Sequence, residues 1–532
     1  MVEIHLIGRA ASPGLAIGPV TMLTAAVARR TANGDPEQEE AALRAAIEGA
    51  RAEIAGQIKT IQGEVADILE FQVAMLEDDA LADAAYQAIS TGTAADQAWR
   101  SALDVEIAGY RAAEDEYFRA RAADIVDIRD RVLAHLSGVD TVARIAGGSI
   151  VAGDDITPSA FLAADWSHGG GIALAGGSPS SHVAMLARAR GAPMVVGLGP
   201  LSWNGQPPAL ALVDGDAGSV TFDPEPETRR LFEQRLAAAN AAQAAAEAGS
   251  VVPASTADGR PIAVLLNVTA PEDLVGLDPA ICDGIGLVRT EFLFEASHGL
   301  PDEDTQYEVY RRILDWAEGR PVTIRTLDAG GDKPIAGLTV DGESNPFLGV
   351  RGIRLSLARP EVFRVQLRAL ARAAVHGVLK VMLPMIAVPS ELDRAGVMFD
   401  VEVAALKAKG IACARPPLGI MIEVPAAALC AEEFGAAFYS IGSNDLTQYT
   451  MAAARDIGAV ADLNDAGHPA VLALIARTVE AARKRDVEVS LCGDAAADTR
   501  LTTALLATGL GTLSVAPLTV ARLKAAIAKV GS

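Results

Sequence analysis

The sequence has few of the residues that disulfide-rich and zinc-binding proteins depend on. Among 532 residues there are four cysteines and seven histidines, and aromatic residues make up 4% of the chain. The cysteines, Cys282, Cys413, Cys430 and Cys492, have no paired spacing, so they indicate neither a disulfide framework nor a zinc site. Because free thiols persist in a reducing compartment, we expect a cytoplasmic protein.

Basic residues are also too few to balance the acidic ones. The chain has 45 lysines and arginines against 68 aspartates and glutamates, a net charge of −23 at pH 7. Proteins that bind nucleic acid generally present a basic face. We therefore expect no nucleic-acid partner, and the charge suits a basic protein partner instead.

Long uninterrupted apolar segments are missing as well. The stretch 10–28 superficially resembles a signal peptide, but prolines and glycines break it. The stretch 501–521 is interrupted by glycines, a proline and several threonines. Neither segment predicts a signal peptide or a membrane-spanning helix, so we expect no membrane insertion.

One histidine lies in a loop with an unusual composition, Gly176-Gly-Ser-Pro-Ser-Ser-His182-Val-Ala-Met-Leu-Ala-Arg188. The glycines and small hydroxyl residues predict a tight loop, and the apolar run after His182 predicts a helix with Ser180 or Ser181 as N-cap. Backbone N–H groups and the helix dipole favour a phosphoryl group at such a position. The alternative is a structural histidine, and this loop alone favours neither.

The C-terminal half predicts a (β/α)8 barrel, because short apolar runs with strand character alternate there with helical periodicity. The eight runs are Ile262–Leu266, Gly284–Val288, Val322–Ile324, Val378–Leu383, Leu418–Ile422, Ala437–Ile441, Val487–Leu491 and Thr512–Val515. Helical periodicity is clear in Pro360–His376 and Ala470–Arg485.

Polar residues follow these predicted strands, where the active sites of such barrels lie. They are Asn267, Arg289, Arg325, Glu423, Asn444 with Asp445, and Cys492. Guanidinium, carboxylate, amide and thiol groups at one end of a barrel suit an anionic substrate and a divalent metal.

Residues 36–140 predict a helical segment that is poor in glycine and proline. Apolar residues from Leu43 to Ile68 recur at intervals of three, four and seven, and Trp99, Leu103 and Ile107 repeat the pattern. One interpretation is a coiled-coil dimerisation arm. Short breaks near Glu77–Ala80 and Ser90–Thr93 favour a folded-back helical bundle.

The whole chain is therefore predicted to be a multi-domain α/β protein. The expected divisions are strands in 1–35, the helical bundle in 36–140, an α/β domain around His182 in 141–223, a helical linker in 224–250 and the barrel in 251–532. Predicted strands in the α/β domain are Ser149–Ala152, Gly171–Ala175, Met194–Val196 and Leu210–Val213. A linker is needed if His182 must reach the barrel and then leave it.

Several blocks of the sequence resemble enzyme I, the phosphoenolpyruvate–protein phosphotransferase (EC 2.7.3.9) of the bacterial sugar phosphotransferase system. They are Gly286-Leu-Val-Arg-Thr-Glu-Phe-Leu293, Arg325-Thr-Leu-Asp-Ala-Gly-Gly-Asp-Lys333, Asn345-Pro-Phe-Leu-Gly-Val-Arg-Gly-Ile-Arg354, Gly419-Ile-Met-Ile-Glu-Val-Pro-Ala426 and Ser440-Ile-Gly-Ser-Asn-Asp-Leu-Thr-Gln-Tyr449. Ser12-Pro-Gly-Leu-Ala-Ile-Gly18 and the His182 loop are similar to the same family. Blocks in the right order over residues 8–525 are far more specific than one short motif.

The resemblance implies a role for each candidate residue. It makes His182 the residue phosphorylated by phosphoenolpyruvate, through Nε2, and Cys492 the acid that protonates the enolate of pyruvate. The substrate-binding residues it implies are Arg289, Arg325, Asn444, Asp445 and Arg455. Glu423 and Asp445 would hold Mg²⁺, and an unperturbed thiol is mostly protonated at pH 7.

The resemblance also implies the partners. The phosphoryl group would pass from His182 to a histidine of the phosphocarrier protein HPr, which we expect to act in trans and to dock on the bundle. Acidic residues such as Glu77, Asp78 and Asp79 could steer a basic carrier. A homodimer through the barrel is expected, and the reaction would begin a sugar-uptake or regulatory phosphorelay.

The chain departs from the family pattern at a few positions. Ala454 stands where an acidic residue is common, Asp456-Ile457 replaces a Gly-Asn-like pair, and Asp494 replaces a glutamate. Ser178 stands where arginine often occurs. These changes bear on the support of Arg455 and Cys492 rather than on the reaction.

Two other functions fit part of the sequence. A dikinase-type enzyme shares the phosphohistidine domain and the barrel, but it needs a nucleotide-binding domain, and residues 1–140 contain no glycine-rich phosphate loop. A non-enzymatic regulator that binds partners would have no need for the histidine, the arginines, the metal ligands and the cysteine. ATP-dependent labelling would support the first, and failure to bind phosphoenolpyruvate the second.

Overall fold

The structure is a computed structural model in which the chain divides into two compact units, Met1–Asn240 and Ala241–Ser532. The described residues are 3–23, 34–58, 64–78, 80–112, 116–138, 145–166, 168–179, 181–201, 203, 207–295, 300–331, 335, 337–340, 342–455, 460 and 463–531. Among them, no helix combines the length and the apolar character needed to cross a membrane.

In the described part of the first unit, eight strands form one mixed sheet in the order β1-β8-β7-β3-β4-β5-β6-β2. The strands are β1 (Ile4–Ile7), β2 (Arg9–Ser12), β3 (Leu15–Met22), β4 (Ile150–Gly153), β5 (Gly171–Leu174), β6 (Met194–Val196), β7 (Leu210–Asp214) and β8 (Ser219–Phe222). Strands β3 to β6 are parallel, and the remaining pairs are antiparallel. The runs predicted around His182 correspond to β4, β5, β6 and β7, whereas β8 was not predicted.

Between β3 and β4 the chain folds into helices. They are α1 (Pro36–Ile58), α2 (Glu64–Glu77), α3 (Ala80–Ser90), α4 (Ala95–Ala112) and α5 (Glu116–Ser137). Their apolar faces share one core that includes Leu43, Ile54, Trp99 and Leu103. The folded-back bundle, not an extended coiled-coil arm, is therefore the observed arrangement of these helices.

One prediction on this segment needs a correction, and two of its residues are not described by the structure. The apolar pattern from Leu43 to Ile68 does not run along one straight helix, because the described helices α1 and α2 pack against each other in the bundle. Ile61 and Asp79 lie outside the described residues. The breaks predicted after Glu77 and Ser90 are the ends of α2 and α3.

Three further helices complete the first unit and lead out of it. They are α6 (Pro158–Ala163), α7 (His182–Arg190) and α8 (Pro226–Ala248). Helix α8 lies in the segment for which a helical linker was predicted, and nearly all of its described side chains are exposed, with Phe232 as the main buried one.

The described part of the second unit contains a closed barrel of eight parallel strands, which confirms the predicted fold class. They are β9 (Ala263–Val268), β10 (Ile285–Val288), β11 (Val322–Arg325), β12 (Leu379–Leu383), β13 (Leu418–Ile422), β14 (Phe438–Gly442), β15 (Glu488–Cys492) and β16 (Thr512–Val515). Each corresponds to one predicted apolar run. Several observed strands extend one residue further, so Arg325 and Cys492 end strands instead of following them.

Helices surround the barrel and cover its apolar outer face. They are α9 (Phe292–Glu295), α10 (Glu303–Trp316), α11 (Ile353–Ala358), α12 (Pro360–Ala373), α13 (Pro389–Ala408), α14 (Pro425–Leu429), α15 (Ser443–Met451), α16 (Pro469–Arg485), α17 (Asp494–Ala497), α18 (Thr502–Ala507) and α19 (Val520–Ile527). A smaller cluster of Leu287, Met382, Met421, Phe438 and Cys492 is made by residues of five barrel strands. These side chains pack beneath the strand ends that carry the polar residues.

Candidate active site

The strand ends of the barrel bring most of the predicted site residues to one edge. Arg325 ends β11, Cys492 ends β15, and Glu423 directly follows β13. Asn444 and Asp445 lie in the first turn of α15, directly after β14. Because all eight strands are parallel, their carboxyl ends meet at the same face of the barrel.

Buried ion pairs join the two loops that follow β10 and β11. Arg325 Nη2 lies 3.1 Å from Glu291 Oε2, and its Nη1 lies 3.1 Å from Asp328 Oδ2. The backbone N–H of Asp328 also donates to Glu291 Oε1 at 3.0 Å. These contacts fix the guanidinium of Arg325 at the strand end.

A second buried arginine extends this network across the barrel mouth. Arg351 Nη2 lies 3.0 Å from Asp328 Oδ2, and its Nη1 lies 3.1 Å from Asp445 Oδ1. The side chain of Arg351 is 1% exposed. Gly330 makes room for it, because a Cβ there would lie 2.7 Å from Arg351 Cβ, and the φ of +101° suits glycine.

Both arginines keep their charge in this setting. Burial alone lowers the pKa of Arg325, but Glu291 and Asp328 raise it more, so the net shift is upward. The pKa of Arg351 is raised in the same way, with Asp328 and Asp445 outweighing burial. Both guanidinium groups are therefore permanently charged and are held in place at the mouth of the barrel by carboxylates.

Glu423 is a buried carboxyl group in an acidic neighbourhood. Burial, followed by the charges of Asp445 and Asp328, raises the pKa of Glu423 to about 8. Its Oε1 accepts a hydrogen bond from the backbone N–H of Met385 at 2.6 Å. A carboxylate this deeply buried is strongly stabilised by a cation.

The two carboxylates Glu423 and Asp445 fit a hard divalent cation such as Mg²⁺. No group of three or more histidine, cysteine or acidic side chains in the described part of the chain is arranged as a metal site. Mg²⁺ is commonly bound through one or two carboxylates, with substrate oxygens and water completing its shell. Glu423 and Asp445 therefore suit a Mg²⁺ ion that takes its other ligands from substrate and water, and they do not suit a metal whose ligands all come from the protein.

Cys492 lies within hydrogen-bonding distance of backbone and hydroxyl groups and is 2% exposed. Its thiol donates towards Ile441 O at 3.5 Å, and Ser440 Oγ lies 3.6 Å from the sulfur. Burial raises the pKa of Cys492, although the Ser440 hydrogen bond and nearby Arg325 and Arg289 oppose this. The thiol is therefore protonated at neutral pH.

The residues after β14 and β15 support each other. Asn444 Nδ2 donates to Asp494 Oδ2 at 3.1 Å, and the Asp494 N–H donates to Asn444 Oδ1 at 2.9 Å. Gly493, directly before Asp494, has φ +99°, and a Cβ there would lie 2.4 Å from Ser443 Oγ. The aspartate at position 494 thus holds the amide of Asn444.

The remaining predicted arginines differ in how they are held. Arg455 Nη1 lies 4.0 Å from Asp445 Oδ2, and its backbone N–H donates to Gln448 Oε1 at 3.0 Å. Arg289 follows β10 and is half-buried, and its charge acts on the Cys492 thiol. Asp456 and Ile457 lie outside the described residues, as does Lys333.

His182 begins helix α7 in the first unit, as predicted. Ser181 is the N-cap, and its Oγ accepts from the Ala184 N–H at 3.3 Å. Arg188 Nη1 donates to Ala11 O at 2.6 Å and to Pro179 O at 2.9 Å, which ties the preceding loop to β2. Ser180 and the side chain of His182 lie outside the described residues.

Sequence reasoning missed three residues of this network, Glu291, Asp328 and Arg351. All three lie inside the sequence blocks quoted above, and each is a charged residue in a mostly apolar or glycine-rich stretch. A charged residue in such a stretch is the sequence signal that could have identified them. By contrast, Asn267 lies within β9 and forms two hydrogen bonds with Ser514 of β16, so its amide serves the barrel wall.

Comparisons with known proteins agree with this architecture. Three models of the PEP-utilising enzymes match: the N-terminal domain over residues 7–121, the mobile domain over 145–218 and the PEP-binding domain over 243–532. The phosphoenolpyruvate-protein phosphotransferase of Geobacillus stearothermophilus is 37% identical over 98% of this chain and 92% of its own length. That of Streptomyces coelicolor is 37% identical over 99% and 94%. An NMR structure of an Enzyme I (nEIt) protein is 27% identical, covers 44% of this chain and 99% of its own, and has a TM-score of 0.33.

The chain belongs to the phosphoenolpyruvate-protein phosphotransferase family and is an enzyme of that class.

Proposed function

We propose that the enzyme takes the phosphoryl group of phosphoenolpyruvate onto His182, releases pyruvate and passes the group to a histidine of the phosphocarrier protein HPr. The observation that carries this proposal is the buried array at the strand ends. Two charged arginines, two carboxylates suited to a cation and a protonated thiol lie at one face of the barrel. This set matches a substrate that carries both phosphate and carboxylate.

The proposed reaction breaks the bond between phosphorus and the enol oxygen. Arg325, with Arg289 and Arg455, binds the anionic oxygens of the substrate, and Asn444 and Asp445 help to orient it. Neutral His182 Nε2 attacks in line and forms the N–P bond. The enolate then takes the thiol proton of Cys492 at its methylene carbon, which gives pyruvate and leaves a thiolate that regains a proton from water.

Glu423 and Asp445 would hold the Mg²⁺ that the reaction needs. Such a cation, when bound, neutralises charge on the transferring phosphoryl group. Arg351 fixes the orientation of Asp445 through their 3.1 Å ion pair, so this carboxylate is held in place before the substrate arrives.

The bundle of α1 to α5 is the proposed docking surface for the carrier. It interrupts the sheet between β3 and β4, so it belongs to the unit that carries His182. The domain limits 1–35, 36–140, 141–223, 224–250 and 251–532 remain part of this proposal. So do the homodimer through the barrel, the cytoplasmic location and the place at the start of a phosphorelay.

Single-turnover and steady-state pyruvate measurements test the proposed function. Without a carrier, phosphoenolpyruvate and Mg²⁺ should release one pyruvate per active site, and added HPr should sustain turnover. A variant in which residues 36–138 are removed and the flanks rejoined should still bind phosphoenolpyruvate but should not phosphorylate HPr. Normal transfer to HPr by a folded deletion variant would refute the docking surface, and HPr-independent turnover would refute the acceptor.

A further inference from the structure

The loops that follow β10 and β11, directly beside Arg289 and Arg325, are joined by the fully buried side-chain amide of a residue on α12. Gln366 of α12 is 1% exposed, and none of its polar atoms belongs to the ion-pair network. Its Oε1 accepts from the Leu327 N–H at 3.0 Å, and its Nε2 donates to Thr290 Oγ1 at 3.2 Å. One side chain therefore holds the loop after β10 and the loop after β11 at once.

The contacts of Gln366 are made to residues that neighbour the charged residues of the candidate site in the chain. Thr290 lies between Arg289 and Glu291 in the chain, and Leu327 directly precedes Asp328. Thr290 Oγ1 in turn donates to the carbonyl oxygen of Arg325 at 3.0 Å. A displacement of the Gln366 amide would therefore move the loop that begins with Arg289 relative to the end of β11, where Arg325 lies.

The hydrogen-bond partners of Gln366 determine which way its side-chain amide faces. The Leu327 N–H can only donate, so it must face the amide oxygen, and the NH₂ group is left for the hydroxyl groups. A third bond runs from Nε2 to Tyr310 OH at 3.2 Å, and Tyr310 donates to Gln306 Oε1 at 3.2 Å. Because Tyr310 and Gln306 are fully buried, the amide has one arrangement that satisfies all these groups.

We infer that Gln366 is a positioning residue for phosphoenolpyruvate: it sets the spacing between Arg289, at the start of the loop after β10, and Arg325, at the end of β11. This inference rests on the proposed role of those arginines in substrate binding. A displacement of about 1 Å at a substrate-binding group costs up to about a hundredfold in rate, so a buried amide far from the reacting atoms can control catalysis.

The test compares two variants that each break hydrogen bonds in this buried network. Gln366→Met keeps the side-chain length but removes both loop contacts. It should lower kcat/KM for phosphoenolpyruvate by about tenfold to about a hundredfold and weaken binding measured by calorimetry. Tyr310→Phe removes the bond from Gln366 Nε2 and the bond to Gln306 but keeps both loop contacts, so it should lower the Tm while kcat/KM stays close to the wild-type value.

Thr290→Val gives an independent measurement if Gln366→Met does not fold. It removes the hydroxyl between Gln366 and the carbonyl of Arg325, and it should lower kcat/KM in the same direction. Wild-type kcat/KM in either folded loop variant, or a loss equal to that of Tyr310→Phe, would overturn the inference.

Failure of the site assignment itself would look different. If the wild-type enzyme took no label from phosphoenolpyruvate, or if Arg325→Met bound the substrate normally, the proposed roles of the arginines would be wrong whatever Gln366 does.

Discussion

Cys492 differs from the other three cysteines in what surrounds it. Cys282 is also buried, but it packs in the large apolar cluster around the barrel and donates to Pro279 O at 3.6 Å. Cys413 is half-buried and Cys430 is exposed. Of the four, Cys492 alone lies at a strand end beside the charges of Arg325, Arg289 and Glu423, and that position makes its thiol a candidate acid.

Cys492→Ser should slow pyruvate formation by about a hundredfold or more, because a positioned general acid contributes on that order. Phosphoenolpyruvate binding should change far less. Cys282→Ser places the same hydroxyl at another buried site and is the matched control. Equal losses in both variants, measured by a pyruvate assay and by binding, would remove Cys492 from the mechanism.

The pH dependence of that step follows from the same environment. Only the protonated thiol can donate, so the step is available below the pKa of Cys492 and is lost as pH rises through it. Burial raises that pKa above its ordinary value of 9.0. The contribution of the thiol to single-turnover pyruvate release should therefore stay unchanged through neutral pH and be lost only in the alkaline range, and Cys492→Ser should abolish that loss. A fall centred below pH 8 would contradict the assignment.

The Mg²⁺ requirement should depend on Glu423. Glu423→Gln removes one of two proposed ligands and should raise the Mg²⁺ concentration for half-maximal activity by at least about tenfold. The control is Glu402→Gln, because Glu402 is also a buried carboxylate but pairs with Arg364 and Arg368 on the outer helices. Unchanged Mg²⁺ titrations for Glu423→Gln would argue against this site.

Single residues at strand ends could be predicted from the sequence, but their pairings could not. Arg325, Glu423 and Asp445 follow from strand pattern and resemblance. Arg351 lies between α11 and a short turn with no strand end to mark it, and its partners Asp328 and Asp445 are 23 and 94 residues away. Such pairs arise only when the barrel closes, so local patterns do not reveal them.

At the scale of elements, the helices of the bundle are held together by one shared apolar core. Trp99 of α4 is fully buried, and its Nε1 donates to Arg129 O on α5 at 3.2 Å. The helix boundaries next to Glu77 and Ser90 could be predicted from turn residues. The change from α1 to α2 could not be predicted, because the apolar spacing continues from one helix to the next and periodicity alone does not show where a new helix begins.

Trp99→Ala should destabilise the bundle by about 3–5 kcal/mol, since it removes a large buried ring. Because the carrier is proposed to dock on this bundle, HPr phosphorylation should fall at temperatures where phosphoenolpyruvate binding to the barrel is intact. Val105→Ala on the exposed face of the same helix is the control and should change little. Thermal unfolding and transfer assays measure both effects, and undiminished transfer by an unfolded bundle would refute its role.

At the scale of the whole molecule, the candidate site residues lie in two different compact units. The histidine begins a helix in the first unit, whereas the arginines, the carboxylates and the thiol belong to the barrel of the second. Alternation of strands and helices made this architecture predictable, because each barrel strand is a separate apolar run. If His182 takes the phosphoryl group as proposed, it must reach the barrel, and no local sequence pattern encodes that movement.

The most direct test is incubation with phosphoenolpyruvate carrying a labelled phosphoryl group, together with Mg²⁺, followed by mapping of the modified residue. The label should be acid-labile and located on His182, and His182→Ala should take up none while still binding phosphoenolpyruvate. Label that persists in His182→Ala, or that maps to another residue, would contradict the proposed mechanism.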